Sequence, residues 1–206
     1  QLGSPRAPLG AESDPSSGGV AAAWRYRGGS HRITLERNVT ETPHGDHQPA
    51  VLIERRGDVA VLTINRPRRR NALDAEAVTA LHRAVEQAKA DAPRVLVLTG
   101  TDGHFCAGAD ITTTEDPDYT VGLRDMLDAL AGLTVPTVAA VSGSCMGLGM
   151  QLALSVDLRV ATPDVRFAVP VARLGLLTDH QTLQRLALAV GWGMARSMVL
   201  AGDVLD

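Results

Sequence analysis

From residue 51 onward, short apolar runs alternate with longer segments in which apolar residues recur every three or four positions. The run at 95–98 is continuously apolar, which is typical of a strand covered on both faces. The segment after Asp74 carries an apolar stripe at helical spacing, formed by Val78, Leu81, Val85 and Ala88. Strands that alternate with helices in this way predict βαβ units and mostly parallel pairing, so the fold class is α/β.

The bounds of these elements follow from the same periodicity and from turn residues. Gly57 suits a turn between the first two strands, Asp74 suits the cap of the first helix, and Pro93 follows the end of that helix. We predict strands at 51–54, 59–65, 95–98, 137–141 and 158–161. We predict helices at 75–91, 120–133, 147–155, 180–190 and 193–201.

Residues 1–48 differ from the rest of the chain, because they are rich in Gly, Ser, Pro, Ala and Arg and show no lasting period. We predict a mostly disordered tail here, with one short strand near Ile33, and an ordered domain at 49–206. His44 and His47 have no other ligand-type side chains at a suitable spacing. A solvated loop explains them, and no metal site is predicted.

Composition excludes several classes of protein. Hydrophobic residues make up 45% of the chain, which is enough for a sizeable core, and the net charge of -3 argues against nucleic-acid binding. No apolar run approaches the length of a membrane span. The two cysteines, Cys106 and Cys145, form no disulfide framework, which indicates a reducing compartment and a cytoplasmic location.

The segment 100–111 follows a predicted buried strand directly. Its run Cys106-Ala107-Gly108-Ala109 has almost no side-chain bulk, so a ligand can approach the backbone and bind its N–H groups. A tight loop that uses small residues only for packing explains the same pattern.

The segment 140–153 runs from a buried strand through a glycine-rich turn into a helix. The N–H groups at a helix start are unpaired and lie at the positive end of the helix dipole, so they suit a developing oxyanion. Because a bare Gly-x-Gly, here Gly147 and Gly149, is weak evidence, a packing turn stays open as the alternative.

The segment 65–73 places four arginines within five residues, at Arg66 and Arg68 to Arg70. Guanidinium groups in such a cluster can bind the phosphates of a nucleotide-like ligand. Taken alone, the cluster is better explained as a solvated basic loop.

Together these three segments resemble the signatures of the crotonase (enoyl-CoA hydratase/isomerase) superfamily in order and spacing. The resemblance covers roughly residues 51–206, and the tail before residue 49 has no counterpart in the family core. The matching stretches are Asn65-x-Pro67 with Asn71-Ala72-Leu73, then Phe105 to Ile111, then Ala140-Val141-x-Gly143, Gly147-x-Gly149 and Asp157-Leu158-Arg159. The resemblance implies a spiral of ββα units, with mostly parallel sheets flanked by helices.

The resemblance also implies a ligand and its site. An acyl-CoA thioester places its carbonyl oxygen between the backbone N–H groups of Ala109 and Leu148. Coenzyme A enters as part of the substrate, and no cofactor is permanently bound. The residues that the family pattern assigns to CoA are Arg68, Arg70, Ala107, Ala109, Asp110, Ile111 and Thr112. The family usually has glycine at position 148, so the leucine side chain is expected to narrow the acyl pocket.

The family's hydratases carry two glutamates that add water, and these positions align with Gln151 and Val171. Neither side chain acts as an acid or base near pH 7, so classical hydration is doubtful. Asp179 stands where the dienoyl-CoA isomerase branch places a proton-shuttling aspartate, although it also suits the N-cap of the following helix. His180 is a weaker candidate, since a histidine at a helix start is often only exposed.

Other reactive side chains have simpler explanations. Cys106 is expected to be a small buried residue rather than a nucleophile, and Asp110 is expected to order its loop rather than act on substrate. Two functions stay open: a lyase or isomerase of unsaturated acyl-CoA in fatty acid or acyl-CoA metabolism, and a non-catalytic acyl-CoA-binding protein. The resemblance further implies a homotrimer or hexamer for a complete chain. In the family a C-terminal helical segment follows the position of residue 206, so we expect the domain at 49–206 to be truncated in that segment.

Overall fold

The computed structural model describes residues 48–110 and 117–206, together with two short strands, β1 (Ala23–Trp24) and β2 (Ile33–Thr34). The chain divides into the units Gln1–His44 and Gly45–Asp206. In the first unit β1 pairs antiparallel with β2, so a short strand at Ile33 is present. The loop with His44 and His47 lies outside the described residues, and the proposed tail at 1–48 stays a prediction.

The second unit contains eight further strands and five α-helices among the described residues. The strands are β3 (Val51–Arg56), β4 (Val59–Ile64), β5 (Val95–Gly100), β6 (Thr137–Val141), β7 (Ser144–Met146), β8 (Leu158–Ala161), β9 (Arg166–Ala168) and β10 (Val204–Leu205). The helices are α1 (Ala75–Asp91), α2 (Pro117–Ala131), α3 (Leu148–Ser155), α4 (His180–Val190) and α5 (Trp192–Arg196). A π-helical turn (Ser197–Ala201) follows α5.

The main sheet of this unit has the strand order β3-β4-β5-β6-β8. The hairpin β3–β4 is antiparallel, whereas β4–β5, β5–β6 and β6–β8 are parallel. Leu96 and Leu98 of the continuous apolar run are fully buried, as expected for a central strand covered on both faces. The α/β fold class with mostly parallel pairing is therefore confirmed.

A second, smaller sheet has the order β10-β9-β7, and a single bridge between Cys106 and Cys145 adds the loop after β5 to it. Each of β6 and β8 is followed by a short strand of this sheet, and β7 then leads into α3. This repetition of long strand, short strand and helix is the ββα pattern that the resemblance implied. Periodicity could not reveal the short strands, because three residues carry no recognisable alternation.

The first helix, α1, forms as its sequence predicts. The Asp74 side chain caps it by accepting a hydrogen bond from the Ala77 amide at 2.9 Å. The apolar stripe is buried against the sheet, and it includes Val78, Leu81, Val85 and Ala88. The helical periodicity of the sequence thus predicted both helix α1 and the face that it buries.

Other bounds shift by a few residues. Helix α2 begins at Pro117 and ends at Ala131, so the prediction of 120–133 was displaced by two or three residues at each end. The last predicted helix is interrupted, because α5 gives way to a π-helical turn after Arg196. No helix in the described part of the chain is long and apolar enough to cross a membrane.

Candidate functional site

Asn71 links the first two signature segments. Its side chain is fully buried, and its Nδ2 donates to the carbonyl oxygens of Thr101 at 2.9 Å and His104 at 2.7 Å. Its Oδ1 accepts from the Arg66 amide at 2.9 Å. Asn71 also has a φ of 60°, a conformation that asparagine adopts more readily than most residues. Sequence reasoning gave this residue no role, although its tolerance of positive φ was a usable signal.

The loop after β5 runs beside β7. The amide of Phe105 donates to Ser142 O at 2.8 Å, and that of Cys106 donates to Ser144 O at 2.9 Å. In return, the Met146 amide donates to Cys106 O at 3.0 Å. The two glycine-rich segments therefore lie side by side although they are far apart in the sequence.

Glycines make this close approach feasible. A Cβ atom on Gly149 would lie 2.2 Å from the backbone oxygen of Cys106, so no larger residue fits there without movement of the backbone. A Cβ on Gly147 would lie 3.9 Å from the Cα of Gly108, which places the last glycines of the two turns next to each other. The packing interpretation of Gly149 is thus confirmed, and this packing brings the two glycine-rich segments together.

The Ala109 and Leu148 amides follow these two glycines. Leu73 pairs with Ala109 in a parallel bridge, in which Gly108 O accepts from Leu73 N at 2.9 Å and Asp110 N donates to Leu73 O at 2.8 Å. Because such a bridge uses the neighbours of Ala109, the N–H of Ala109 itself points away from Leu73. Leu148 is the first residue of α3, where an N–H has no partner within the helix. Neither the Ala109 N–H nor the Leu148 N–H donates a hydrogen bond to an atom of residues 48–110 or 117–206.

The Leu148 side chain is only 5% exposed and belongs to the hydrophobic core. Its isobutyl group is therefore accommodated by packing inside the domain. The backbone donor at this position does not depend on a glycine.

The arginine cluster separates into structural and exposed members. Arg66 forms an ion pair with Asp74, donates to Ala72 O, and approaches the Asp110 carboxylate at 3.8 Å. The Arg66 guanidinium is engaged by these partners inside the domain. The hypothesis that all four arginines bind phosphates is therefore wrong for Arg66. The Asp110 carboxylate helps to hold its loop against the first segment, in agreement with the loop-ordering interpretation.

Arg68 and Arg70 are exposed beside a 3-10 turn (Pro67–Arg69). The carbonyl oxygen of Arg70 accepts from the Ala107 amide at 3.0 Å, so the structure brings these two proposed CoA-binding positions together. Ile111 and Thr112, which the family pattern also assigns to CoA, lie outside the described residues.

Asp179 is the N-cap of α4. Its Oδ1 accepts from the Thr182 amide at 3.0 Å, and its Oδ2 accepts from the Thr182 hydroxyl at 2.5 Å. Arg124 lies 3.7 Å from the same carboxylate. Partial burial raises the pKa of Asp179, but the hydrogen bonds from Thr182 and the charge of Arg124 outweigh burial and leave the pKa below its usual value. His180, the first residue of α4, is exposed.

Gln151 on α3 reaches this carboxylate. Its Nε2 donates to the Thr178 hydroxyl at 3.2 Å and to Asp179 Oδ2 at 3.4 Å. Its Oε1 is buried and has no hydrogen-bond partner among the described residues. An unsatisfied buried acceptor costs about 1–3 kcal/mol, so this atom stands out in the site.

Comparison with known proteins decides the family. The family model described as enoyl-CoA hydratase/isomerase matches residues 54–206. A probable enoyl-CoA hydratase, echA6, from Mycobacterium tuberculosis (strain CDC 1551 / Oshkosh) is 41% identical over 152 residues, which are 71% of this chain and 61% of that protein. The 2,3-dehydroadipyl-CoA hydratase of Escherichia coli (strain K12) is 35% identical over 158 residues, 74% of this chain and 62% of that protein. The chain belongs to the enoyl-CoA hydratase/isomerase family.

Solved structures agree with this family membership. A crystal structure of an enoyl-CoA hydratase/carnithine racemase from Magnetospirillum magneticum is similar with a TM-score of 0.72 and 29% identity, over 78% of this chain and 64% of that one. The crotonase superfamily and its fold are thereby confirmed. This family member spans 61–62% of the length of the curated mycobacterial relatives it matches.

The third signature of this family member joins two strands. Asp157 accepts hydrogen bonds from the Thr137 amide at 2.8 Å and the Thr137 hydroxyl at 2.7 Å. Both bonds lower the pKa of the Asp157 carboxyl group, and the bond from the Thr137 hydroxyl has the larger effect. Arg159 donates to the carbonyl oxygens of Ala153 and Val156 at the end of α3. The Asp-Leu-Arg stretch therefore holds β8 and α3 in place and does not supply reactive groups.

Three further positions in this family member supply no acid or base near neutral pH. Val171 begins a short 3-10 helix (Val171–Leu174) and packs against the core. Both cysteines are fully buried, and burial raises the pKa of Cys106 to about 12 and that of Cys145 well above its usual value. A thiol that stays protonated is a poor nucleophile, so the structural interpretation of Cys106 is confirmed.

Proposed function

We propose that this domain binds acyl-CoA thioesters, with the carbonyl oxygen between the amides of Ala109 and Leu148, and serves fatty acid or acyl-CoA metabolism. The supporting observation is that these two amides follow neighbouring glycines, Gly108 and Gly147, and donate to no atom of the described residues. The Escherichia coli relative is a hydratase of a CoA thioester, 2,3-dehydroadipyl-CoA, which supports the same ligand class.

The arrangement suits the chemistry of a thioester. Removal of a proton beside the thioester, or addition to a conjugated double bond, builds negative charge on the carbonyl oxygen. Preplaced N–H donors stabilise that charge without reorganisation, and loss of one donor typically costs about 3–4 kcal/mol in the transition state. The N-terminal end of α3 adds the positive end of its dipole at Leu148.

Coenzyme A enters with the substrate in this proposal, so no resident cofactor is required. Arg68 and Arg70, which are exposed, are the proposed partners of its phosphates. Asp110, Ile111 and Thr112 are the expected lining of the CoA site, and its adenine end is expected near Ala107 and Ala109.

For the chemical step we favour isomerase-type proton transfer over hydration. Gln151 and Val171 stand at the two positions that the family resemblance aligns with the hydratase glutamates, and neither transfers protons near pH 7. Asp179 lies within 3.4 Å of the Gln151 side chain, and Gln151 is one helical turn from Leu148. Asp179 is therefore the proposed proton carrier.

Non-catalytic binding of acyl-CoA is the second candidate function. Its specific support is the lowered pKa of Asp179, because a carboxylate held in its charged form by a cap and a nearby arginine is a weak base. In this alternative Asp179 serves only to begin α4 and to hold Gln151.

The proposed oxyanion hole is tested by comparing the variants Leu148→Pro and Leu148→Ala. Proline is tolerated at the first position of a helix but has no N–H, whereas alanine keeps the donor and loses the same packing. We expect Leu148→Pro to bind butyryl-CoA at least about tenfold more weakly than Leu148→Ala in calorimetric titration. Equal affinities of the two variants would remove the oxyanion hole from the proposal.

The proposed role of Asp179 in proton transfer is tested separately, by measuring rates of isomerisation and hydration. The wild type is expected to isomerise a 3-enoyl-CoA and to hydrate crotonyl-CoA poorly, and Asp179→Ala is expected to lower isomerisation by about 100-fold or more. His180→Ala, which changes an exposed neighbour, is the control. Tight acyl-CoA binding with no turnover by the wild type would favour the binding protein instead.

A further inference from the structure

Tyr119, in the first turn of α2, carries a buried hydroxyl that donates to the backbone. Its side chain is 5% exposed, and the hydroxyl donates to the carbonyl oxygen of Leu73 at 3.1 Å. Burial is the main cause that raises the pKa of Tyr119 above its usual value, so the hydroxyl keeps its proton and remains a donor. The bond links α2 to the last residue of the first signature segment, 65–73.

Leu73 is the residue that pairs with Ala109. Its amide donates to Gly108 O at 2.9 Å, and its carbonyl oxygen accepts from Asp110 N at 2.8 Å. These two bonds flank Ala109 and set the direction in which the Ala109 N–H points. A carbonyl oxygen has two lone pairs, and the Tyr119 hydroxyl is the second donor to this one. The Leu73 carbonyl is therefore held from two sides, by the loop after β5 and by α2.

The loop that carries Ala109 is tied to the first segment at two places. The Arg66 guanidinium approaches the Asp110 carboxylate at 3.8 Å, and the bridge joins Leu73 to Ala109. Arg66 is itself anchored by an ion pair with Asp74, the residue that caps α1. The hydroxyl of α2 supplies the corresponding anchor for Leu73. Each tie thus ends on a helix, and a helix is a rigid support for a donor that must point in one direction.

We propose that Tyr119 is a positioning residue for the oxyanion hole, whose hydroxyl fixes Leu73 and through it the direction of the Ala109 N–H. This inference rests on the proposed thioester site. Without the hydroxyl, the buried Leu73 carbonyl keeps one donor fewer, and its bridge to Ala109 is less constrained. A misdirected N–H binds a carbonyl oxygen less well, but it does not affect parts of the ligand that accept no bond from it.

The test compares butyryl-CoA with S-butyl-CoA, a thioether that has the same chain but no carbonyl oxygen, by calorimetric titration. Tyr119→Phe keeps the ring and removes the hydroxyl. We expect it to weaken thioester binding about fivefold and to leave thioether binding within about twofold of the wild type. Because both ligands are titrated into the same sample, the ratio of the two dissociation constants does not depend on the fraction of the variant that is folded.

The matched control is Thr99→Val, which also removes a hydroxyl that donates to a backbone carbonyl. The Thr99 hydroxyl donates to Ala140 O at 3.0 Å, so this bond joins β5 to β6 and does not involve Leu73. We expect Thr99→Val to keep the wild-type ratio of the two dissociation constants. A control that lost the thioester preference to the same extent would overturn the specific role of Tyr119.

Infrared spectroscopy of bound butyryl-CoA, labelled with carbon-13 in its carbonyl group, gives a second measurement. Hydrogen bonds from the two amides polarise the carbonyl group, so its stretching band should lie lower in the wild-type complex than in solution. Tyr119→Phe should move the band part of the way back, whereas Thr99→Val should leave it in place. A contribution of Tyr119 to the fold alone would not move this band.

The outcomes distinguish this inference from the proposed function. An unchanged ratio or an unchanged band in Tyr119→Phe would overturn the role of Tyr119 and leave the thioester site standing. Equal weakening of both ligands would also overturn it, because the hydroxyl would then serve the fold and not the donor. If the wild type binds the thioester no more tightly than the thioether, the oxyanion hole is wrong and this inference is wrong with it.

Discussion

At the residue scale, Asn71 joins the first signature segment to the loop that carries Ala109. Asn71→Ala would leave Thr101 O, His104 O and the Arg66 amide without their side-chain partner in a buried place. It would also put alanine at a φ of 60°. We expect a loss of about 3 kcal/mol in the free energy of unfolding, measured by urea titration.

The control for Asn71 is Asn65, which has the same side chain in the same segment. Its Nδ2 donates to Gln48 Oε1 at 3.3 Å and to Pro49 O at 3.1 Å in a partly exposed place. Asn65→Ala should cost less than about 1 kcal/mol, because water can replace these partners. Similar losses in both variants would contradict the clamp assigned to Asn71.

Asp157 makes stability depend on pH. The hydroxyl and the amide of Thr137 lower the pKa of Asp157 in the folded protein. Asp157 therefore contributes fully to folding stability above its unfolded pKa of about 3.9. The contribution is lost as pH falls through the lower, folded pKa. We expect Asp157→Asn to lower the urea midpoint at pH 7, with a difference that shrinks below about pH 4. Asp164→Asn, in an exposed turn, should show neither effect.

At the element scale, the start of α3 must lie close against the loop after β5. A Cβ on Gly149 would collide with Cys106 O at 2.2 Å, whereas a Cβ on Gly122 in α2 would meet nothing within 4 Å. Gly149→Ala should lower the free energy of unfolding by about 3 kcal/mol and weaken butyryl-CoA binding, because the two free amides would separate.

The same substitution in α2 provides the comparison. Gly122→Ala should raise the free energy of unfolding by about 0.5–1 kcal/mol, since alanine loses less backbone entropy in a helix. Denaturant titration checks that the free energy of unfolding falls in Gly149→Ala and rises in Gly122→Ala. Acyl-CoA binding is measured on the same variants. Unimpaired stability and binding in Gly149→Ala would show that the two segments need not touch.

At the scale of the whole molecule, large apolar side chains near the end of the chain remain exposed. The largest exposed fractions there are 97% at Leu177, 87% at Leu188, 71% at Leu200 and 65% at Trp192. Such surface favours association, in line with the homotrimer or hexamer proposed from the family resemblance. We expect light scattering to give about three times the mass of one chain, or six times.

A substitution on this surface tests that expectation. Leu188→Lys in α4 should shift the mass toward that of one chain, because a charge would be buried in the contact. Val121→Lys, at a position 61% exposed in α2, should leave the mass unchanged. A wild type with the mass of one chain at every concentration would contradict the proposed assembly.

The sequence by itself determined the α/β class, the strands of the main sheet, the capped helix after Asp74 and the family. These features are local: helical stripes, apolar runs and caps are visible within a few residues of the chain. The three signatures also identified segments that the fold brings together, and small residues at a strand end leave backbone N–H groups accessible there.

Only the tertiary structure decided how those segments meet. The clamp by Asn71, the contact of Gly149 with Cys106 and the short strands of the second sheet join residues far apart in the chain. The unpaired Gln151 oxygen depends on Asp179, 28 residues away, which turns the amide by accepting from it. No periodicity encodes such contacts, because hydrogen bonding between distant side chains is settled only when the whole core packs.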